Sequence, residues 1–300
     1  MKFVKLLRPL NLIFLGSSIG LVYFILLPKL SSDVQISGRL FWIFLLSCLF
    51  MAAGGNIIND FHDVDVDKVN RPGREIANAS IFQRKTAYSI GLIFLLISLI
   101  LGFLIGYQLE QLSYGFFYFF AALALVAYSQ KLKRQALFGN LLVSLLTVLP
   151  YFLLFYLIEL NSQVQMSLLV FRIFIFLMIM SFLLNFIREI IKDLEDMQGD
   201  YSANCKTLPI IIGRERTHFI VQVMIVISLL SLVICSLYFF DTYLMAIFFG
   251  LGVGLPLFLV AFKVREVRMA TNYHLLSQLL KLSMLIGLIL LILLPQILRI

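Results

Sequence analysis

Residues 59–72 read NDFHDVDVDKVNRP and follow directly on an apolar run at 39–59. Residues 188–200 read REIIKDLEDMQGD and stand in the same relation to a second apolar run at 167–190. Most of the chain's 16 acidic residues fall in these two segments. Each acidic segment therefore lies at the end of a hydrophobic helix, and the rest of the chain explains why those helices belong to a membrane.

The composition excludes a soluble enzyme, a disordered chain and a fibrous protein. Hydrophobic residues make up 61% of the 300 residues, charged residues make up 13%, and the mean hydropathy is +1.01. Soluble domains have roughly 45–50% apolar and about 25% charged residues. The three cysteines and three histidines lack the spacing of a disulfide framework or a zinc site. The sequence thus indicates an integral membrane protein.

Nine apolar runs are each long enough to cross a hydrocarbon core of about 30 Å. They predict an all-α integral membrane protein, because backbone groups exposed to lipid must satisfy their own hydrogen bonds. We expect one bundle of nine transmembrane helices in a single domain over residues 1–300. The first run follows a basic start, as in a signal peptide, but its length favours a retained helix. The predicted spans are 10–28, 39–59, 86–107, 109–128, 140–160, 167–190, 217–240, 242–262 and 276–298.

The positive charges predict the orientation of the bundle. With these spans, nineteen of the 24 lysine and arginine residues fall on one side, which the positive-inside rule makes cytoplasmic. The N-terminus and both acidic segments are then cytoplasmic. This distribution also argues against a nucleic-acid partner, although the net charge is +8. Arg172 and Lys281 fall inside predicted spans near their ends, where long side chains can snorkel to the interface.

The spacing of the acidic residues indicates a divalent cation. Asn59, Asp63 and Asp67 are four residues apart, so a continuing helix would place them on one face. Asp193, Asp196 and Asp200 share a face in the same way. Carboxylates at helix C-termini face an unfavourable dipole, which a metal ion would offset. Oxygen ligands without thiols favour Mg²⁺, and the EF-hand pattern fails because the loop glycine is absent.

Basic residues lie in or near both acidic segments. Together with bound metal ions, their positive charges would form a binding site for a highly charged anion such as diphosphate. Those expected in the anion site are Arg71, Lys133, Arg188 and Lys192, with Arg74 and Lys206 nearby.

These segments resemble the UbiA-type superfamily of intramembrane prenyltransferases. Its first motif, N-x-x-x-D-x-x-x-D, matches Asn59, Asp63 and Asp67, followed by an Asn-Arg-Pro triplet at 70–72, and its second matches Asp196 and Asp200. The segment from Tyr128 to Asn140 resembles the loop after the family's fourth helix, whose lysine contacts diphosphate; here that lysine is Lys133. Arg74-Glu75-Ile76 departs from the Arg-Pro-Ile that is usual there.

The resemblance implies two Mg²⁺ ions that join the acidic motifs to a polyprenyl diphosphate in a central cavity open to the cytoplasmic side. The implied metal ligands are Asn59, Asp63, Asp67, Asp196 and Asp200, of which the four aspartates, with Lys133, are the implied catalytic residues. Asn59, Arg71, Lys133, Arg188, Lys192 and Asp193 form the implied diphosphate region.

The acceptor is open at this stage. The second acidic segment looks most like the branch that alkylates the hydroxyl of geranylgeranylglyceryl phosphate, and Arg8 or Lys206 would be available for the acceptor phosphate. Branches that prenylate aromatic acceptors such as 4-hydroxybenzoate share most of these features. Two other classes remain as rivals: a cation-coupled transporter, disfavoured by span centres that are nearly free of charge, and a CDP-alcohol phosphotransferase, whose signature is missing. The sequence does not indicate an oligomeric state.

Overall fold

The structure is a computed structural model that describes residues 3–30, 36–73, 76, 78–161, 167–240 and 243–297. Nine long helices make up most of these residues: α1 Pro9–Leu30, α2 Gly38–His62, α3 Ile81–Gln108, α4 Ser113–Gln130, α5 Phe138–Asn161, α6 Leu168–Glu195, α7 Arg214–Phe240, α8 Tyr243–Lys263 and α9 Ala270–Ile297. Short helices lie at Phe3–Leu6, Val64–Asn70, Met197–Ser202 and Leu208–Ile212, and Leu132–Arg134 forms a single 3₁₀ turn.

Eight of the helices in the described ranges, all except α4, are long and apolar enough to cross a membrane. The prediction of an all-α membrane protein is therefore confirmed, and each predicted span coincides with one long helix. Helix α4 has only 18 residues, and polar residues at both ends shorten its apolar stretch. Serine side chains fix the starts of three helices: Ser37, Ser80 and Ser167 each accept a hydrogen bond from the first turn.

Glycines allow α2 and α3 to pack closely. A Cβ atom on Gly54 would lie 2.8 Å from the carbonyl oxygen of Gly91, so the two backbones touch here. Inside lipid, helices associate mainly through van der Waals packing, and small residues allow their backbones to approach closely. The packed pair of helices α2 and α3 fixes the position of the end of α2, and with it that of the first acidic segment.

The helices enclose a cavity of about 480 Å³ lined by α1, α2, α4, α5, α6 and α9. One buried apolar cluster joins α6, α7, α8 and α9, and another joins α1, α2, α4 and α5 to α6. Helix α6 belongs to both clusters, so it connects the two halves of the bundle. Large apolar side chains such as Trp42, Leu96 and Phe120 are exposed on the outside, as a lipid-facing surface requires.

Both acidic segments bend at an aspartate. Helix α2 ends at His62, and Asp63 joins it to the short helix Val64–Asn70 with φ −89° and ψ 1°. Helix α6 ends at Glu195, and Asp196 joins it to the short helix Met197–Ser202 with φ −91° and ψ 5°. Each motif is therefore helical on both sides of an aspartate at which the helix is interrupted. Hydrogen bonds four residues apart still span both bends, which keeps the motif residues in register.

Candidate active site

The first acidic motif is organised around a lysine from the loop after α4. Nζ of Lys133 lies 2.5 Å from Oδ1 of Asp63 and 3.1 Å from Oδ1 of Asn59. The amide of Asn59 donates a second hydrogen bond, 2.6 Å long, to Oδ2 of Asp63. Gly139 makes this approach possible, because a Cβ there would lie 2.7 Å from Cα of Lys133. The structure thus unites three residues that the sequence predicted from two separate segments.

The two acidic segments are joined by the side chain of Asn70. Its Nδ2 donates to the carbonyl oxygen of Asp196 at 2.9 Å, and its Oδ1 accepts from the backbone N–H of Gly199, also at 2.9 Å. A Cβ on Gly199 would lie 2.4 Å from Nδ2 of Asn70, so only glycine fits at this position. We call this contact the Asn70–Gly199 clasp. It holds the short helices Val64–Asn70 and Met197–Ser202 against each other.

Arg71 connects the two motifs by charge. Its Nη2 lies 2.8 and 3.1 Å from the two carboxylate oxygens of Asp196 and 3.3 Å from Oε1 of Glu195. Its Nη1 lies 3.5 Å from Oδ1 of Asp67, which is almost fully buried. Burial alone would lower the pKa of Arg71, but Asp196, Glu195 and Asp67 together raise it. His274 on α9 contacts the same oxygen of Glu195 at 3.2 Å, so a third part of the chain supports this arginine.

The carboxylates of the second motif are electrostatically strained without a cation. Burial raises the pKa of Asp196 to about 6, although Arg71 opposes the shift. Burial and the charge of Asp196 raise the pKa of Asp200 to about 7, and Asp63 contributes in the same direction. Burial lowers the pKa of Lys133, although Asp63 opposes that shift. A divalent cation would favour the ionised form of all these acids.

The donor set fits Mg²⁺, but the described residues do not form a ready-made cage. The carboxylates of Asp63 and Asp200 interact across the two segments, and the carboxamide of Asn59 binds Asp63. Within the described ranges, no group of three or more Asp, Glu, His or Cys side chains converges closely enough to hold an ion. Lys133 and Arg71 hold Asp63 and Asp196 instead. Mg²⁺ commonly takes only one or two carboxylates and completes its shell with water and phosphate oxygens, so this arrangement is compatible with it.

Arg188 and Lys192 lie in the cavity wall, and the carbonyl oxygen of Lys192 accepts a 2.8 Å hydrogen bond from the backbone N–H of Asp196. Nη1 of Arg188 and Nζ of Lys192 both bind Oε1 of Glu189, at 2.9 and 2.5 Å. Lys281 lies in the same wall, where its Nζ contacts Oδ1 of Asn11 at 3.3 Å. Helix α9 begins at Ala270, so Lys281 lies three turns inside it. Asn59 is the first-motif residue that lines this cavity.

Other predicted residues take varied positions. Asp193 accepts a 2.9 Å hydrogen bond from Nδ2 of Asn140 at the start of α5. Arg8 lines the cavity and binds Asp60 at 2.5 Å, whereas Lys206 is exposed and its backbone N–H pairs with the carbonyl oxygen of Arg134. Arg74 and Glu75 lie outside the described residues.

Sequence reasoning assigned no role to the side chains of Asn70, Asn140 and Lys281. One sequence feature could have identified them. An amide or a charged side chain close to an apolar span is costly unless it has a hydrogen-bonding or charged partner.

Comparisons with known proteins agree with this architecture. The model of the UbiA prenyltransferase family matches residues 21–291. The chain is 32% identical over 231 residues to the digeranylgeranylglyceryl phosphate synthase of Pyrococcus horikoshii, covering 76% of this chain and 75% of the relative. It is 31% identical over 239 residues to the enzyme of the same name from Methanosphaera stadtmanae, covering 79% and 78%.

Solved structures show the same fold. A structure described in connection with the biosynthesis of digeranylgeranylglyceryl phosphate synthase in membranes has a TM-score of 0.62 at 24% identity, covering 97% of this chain and 96% of that one. A UbiA homolog from Archaeoglobus fulgidus, bound to DMAPP and Mg²⁺, has a TM-score of 0.60 at 17% identity, covering 95% and 99%. The family model and the relatives together establish that this chain is a member of the UbiA prenyltransferase family.

Proposed function

We propose that this chain transfers a geranylgeranyl group from its diphosphate to the hydroxyl of geranylgeranylglyceryl phosphate, with Mg²⁺ as cofactor. The observation that carries the proposal is the Asn70–Gly199 clasp, which joins two acidic segments beside a cavity within the bundle. The named relatives support the choice of acceptor. A cavity of about 480 Å³ is within the usual range of about 300–1,000 Å³ for small-molecule sites.

The metal ligands would come from both segments: Asn59, Asp63 and Asp67 from the first, and Asp196 and Asp200 from the second. Bound Mg²⁺ would supply positive charge that stabilises the departing diphosphate. The raised pKa values of Asp196 and Asp200 support this role, because burial disfavours the ionised carboxylates and added positive charge would favour them.

Lys133 and Arg71 would bind the diphosphate. Arg71 lies against Asp196 and Lys133 against Asp63, so a diphosphate bound to metal at those carboxylates would lie within reach of both cations. Asp193 would remain beside this region, fixed by Asn140.

The reaction exchanges one carbon–oxygen bond for another. The bond between the allylic carbon and the diphosphate oxygen breaks, and the diphosphate leaves with the bonding electrons. The acceptor hydroxyl oxygen then bonds to that carbon and loses its proton. The apolar walls of the cavity, which include Leu149 and Leu153, would hold the prenyl chain and keep water from the developing allylic cation.

We further infer one polytopic domain over residues 1–300, with α4 as a ninth span, the cavity open to the cytoplasm and the N-terminus cytoplasmic. The asymmetry of the basic residues supports this orientation. Cysteine labelling tests it, because all three native cysteines are buried. A membrane-impermeant maleimide should label Gly73→Cys only from the cytoplasmic side and Gln108→Cys only from the opposite side. Labelling of both from one side would contradict the orientation.

The function is tested with purified protein, labelled geranylgeranyl diphosphate, Mg²⁺ and separate acceptors, followed by mass spectrometry. We expect a lipid with a second ether-linked prenyl chain from geranylgeranylglyceryl phosphate and no product from 4-hydroxybenzoate. Asp63→Ala and Asp196→Ala should abolish the product. Asp65→Ala is the matched control, because Asp65 is 80% exposed and binds Lys68. Prenylation of the phenol alone would replace the proposed acceptor, and metal-independent solute flux without transfer would favour a transporter.

A further inference from the structure

A second group of cations lies in the cavity, apart from those that hold the acidic motifs. Arg8, Arg188, Lys192 and Lys281 line its wall, contributed by the residue before α1, by α6 and by α9. Within the described ranges, the hydrogen bonds made by their side chains go to Glu189, Asp60 and Asn11 rather than to the motif aspartates. We call these four residues the cavity cations.

The cavity cations outnumber the carboxylates that they pair with in the described part of the chain. Arg188 and Lys192 share a single oxygen of Glu189, the one acidic residue in the described cavity wall. Arg8 binds Asp60, which lies behind the wall, and Lys281 contacts the neutral amide of Asn11. Among the described residues, the ion pairs of these four cations involve two carboxylates, those of Glu189 and Asp60. Cations in a low-dielectric environment are costly unless anions bind them.

Two further features support an anion-binding site at the cavity cations. Among the described residues, the Nε atoms of Arg8 and Arg188 are buried without any hydrogen-bond acceptor. Arg8 also adopts a left-handed backbone conformation, with φ 52° and ψ 63°, which is rare for a residue other than glycine. Strained conformations of this kind concentrate at functional sites.

We propose that the cavity cations bind the phosphate of the prenyl acceptor, separately from the diphosphate of the donor. This inference rests on the proposed function, because it assigns the group that selects the acceptor. A phosphate monoester carries about −1.5 to −2 charges at pH 7, which suits a wall that carries four cationic side chains. Arginine offers several donors in a plane that suits phosphate oxygens.

The position of the cavity cations suits the chemistry. In geranylgeranylglyceryl phosphate the reacting hydroxyl is on the carbon next to the one that bears the phosphate, so the acceptor phosphate must lie close to the reacting centre. Asn59 connects the two regions, because it lines the cavity together with Arg188 and also binds Lys133 of the diphosphate site. An acceptor held by the cavity cations would therefore present its hydroxyl toward the donor.

Kinetics with each substrate varied in turn test the assignment. We expect Lys281→Gln and Arg188→Gln to raise KM for geranylgeranylglyceryl phosphate by about tenfold or more, the loss expected for one charged hydrogen bond. KM for geranylgeranyl diphosphate should change by less than about twofold. Lys263→Gln, on the exposed end of α8, is the control and should match the wild type. A rise in KM for the diphosphate instead would overturn the inference and leave the proposed function intact.

Binding without turnover tests the inference independently of catalysis. In Mg²⁺-free buffer, the wild-type protein should bind geranylgeranylglyceryl phosphate about tenfold or more tightly than geranylgeranylglycerol. Lys281→Arg should retain this preference, and Lys281→Gln should lose most of it. Equal affinity of the wild-type protein for the two lipids would overturn the inference even if the variants fail to fold. Absence of transfer with a preserved binding preference would instead count against the proposed function alone.

Discussion

Replacing Gly199 with alanine tests how closely the two acidic segments must pack. The added Cβ would lie 2.4 Å from Nδ2 of Asn70 and 2.8 Å from the carbonyl oxygen of Val66. The amide of Asn70 has little freedom, because it is bound to Asp196 and to Gly199 itself. The carbonyl of Val66 belongs to the backbone of a helix. The methyl group must therefore push the short helices Val64–Asn70 and Met197–Ser202 apart.

The expected cost follows from the contacts. Overfilling a packed contact costs about 1–3 kcal/mol. If the same free energy is lost from the stabilisation of the transition state, kcat/KM falls by about 5- to 150-fold, because 1.36 kcal/mol corresponds to a factor of ten. The Mg²⁺ concentration for half-maximal activity should rise as well, since the two sets of carboxylates move apart.

The assay compares Gly199→Ala with Gly73→Ala in the transfer of labelled geranylgeranyl groups across a Mg²⁺ titration. Gly73 is the matched control, because no atom of the described residues lies within 4 Å of a Cβ built there. Size-exclusion chromatography in detergent checks that both variants fold. Gly199→Ala with wild-type kcat/KM and an unchanged Mg²⁺ requirement would refute the role of the clasp, as would an equal loss in Gly73→Ala.

Three further substitutions test separate parts of the account. Lys133→Met should lower kcat/KM by about tenfold or more, because it removes a charged hydrogen bond to the diphosphate worth about 1.5–3 kcal/mol, and near-normal turnover would exclude Lys133 from the site. Gly54→Ala should lower the free energy of unfolding by about 1–3 kcal/mol through its clash with the α3 backbone. Gly38→Ala, whose added methyl meets no atom of the described residues within 4 Å, should unfold like the wild type; equal melting of both variants would contradict the close helix contact. Asn140→Leu should destabilise by about 1–3 kcal/mol by leaving the Asp193 carboxylate without its donor, and Asn140→Leu with Asp193→Leu should recover most of that loss; no recovery in a thermal melt would argue against the pair.

The sequence predicted the membrane helices because apolar runs of this length have few alternatives. A run of about twenty apolar residues can satisfy its backbone in lipid only as a helix or in a closed barrel. The acidic segments were predictable for a similar reason, since carboxylates at the ends of such helices require compensation. Helix α4 has a weaker apolar signal than the other eight long helices, because its polar ends leave a short apolar stretch.

The contacts between segments were not predictable, because they depend on tertiary packing. The bends at Asp63 and Asp196 have no proline or glycine to mark them, so the spacing alone favoured straight helices. The Asn70–Gly199 clasp joins residues 129 positions apart. Lys281 seemed close to a span end because the apolar pattern begins several residues after α9 does.

The central claim is that the two acidic segments bind one diphosphate jointly. A double-mutant cycle on the affinity for geranylgeranyl diphosphate in saturating Mg²⁺ tests it most directly, with Asp63→Asn, Asp196→Asn and the double variant. If the segments act as one unit, each single variant loses most of the affinity and the double variant loses little more, which gives a coupling energy above about 1 kcal/mol. Strictly additive losses, or a single variant that binds like the wild type, would contradict a shared site.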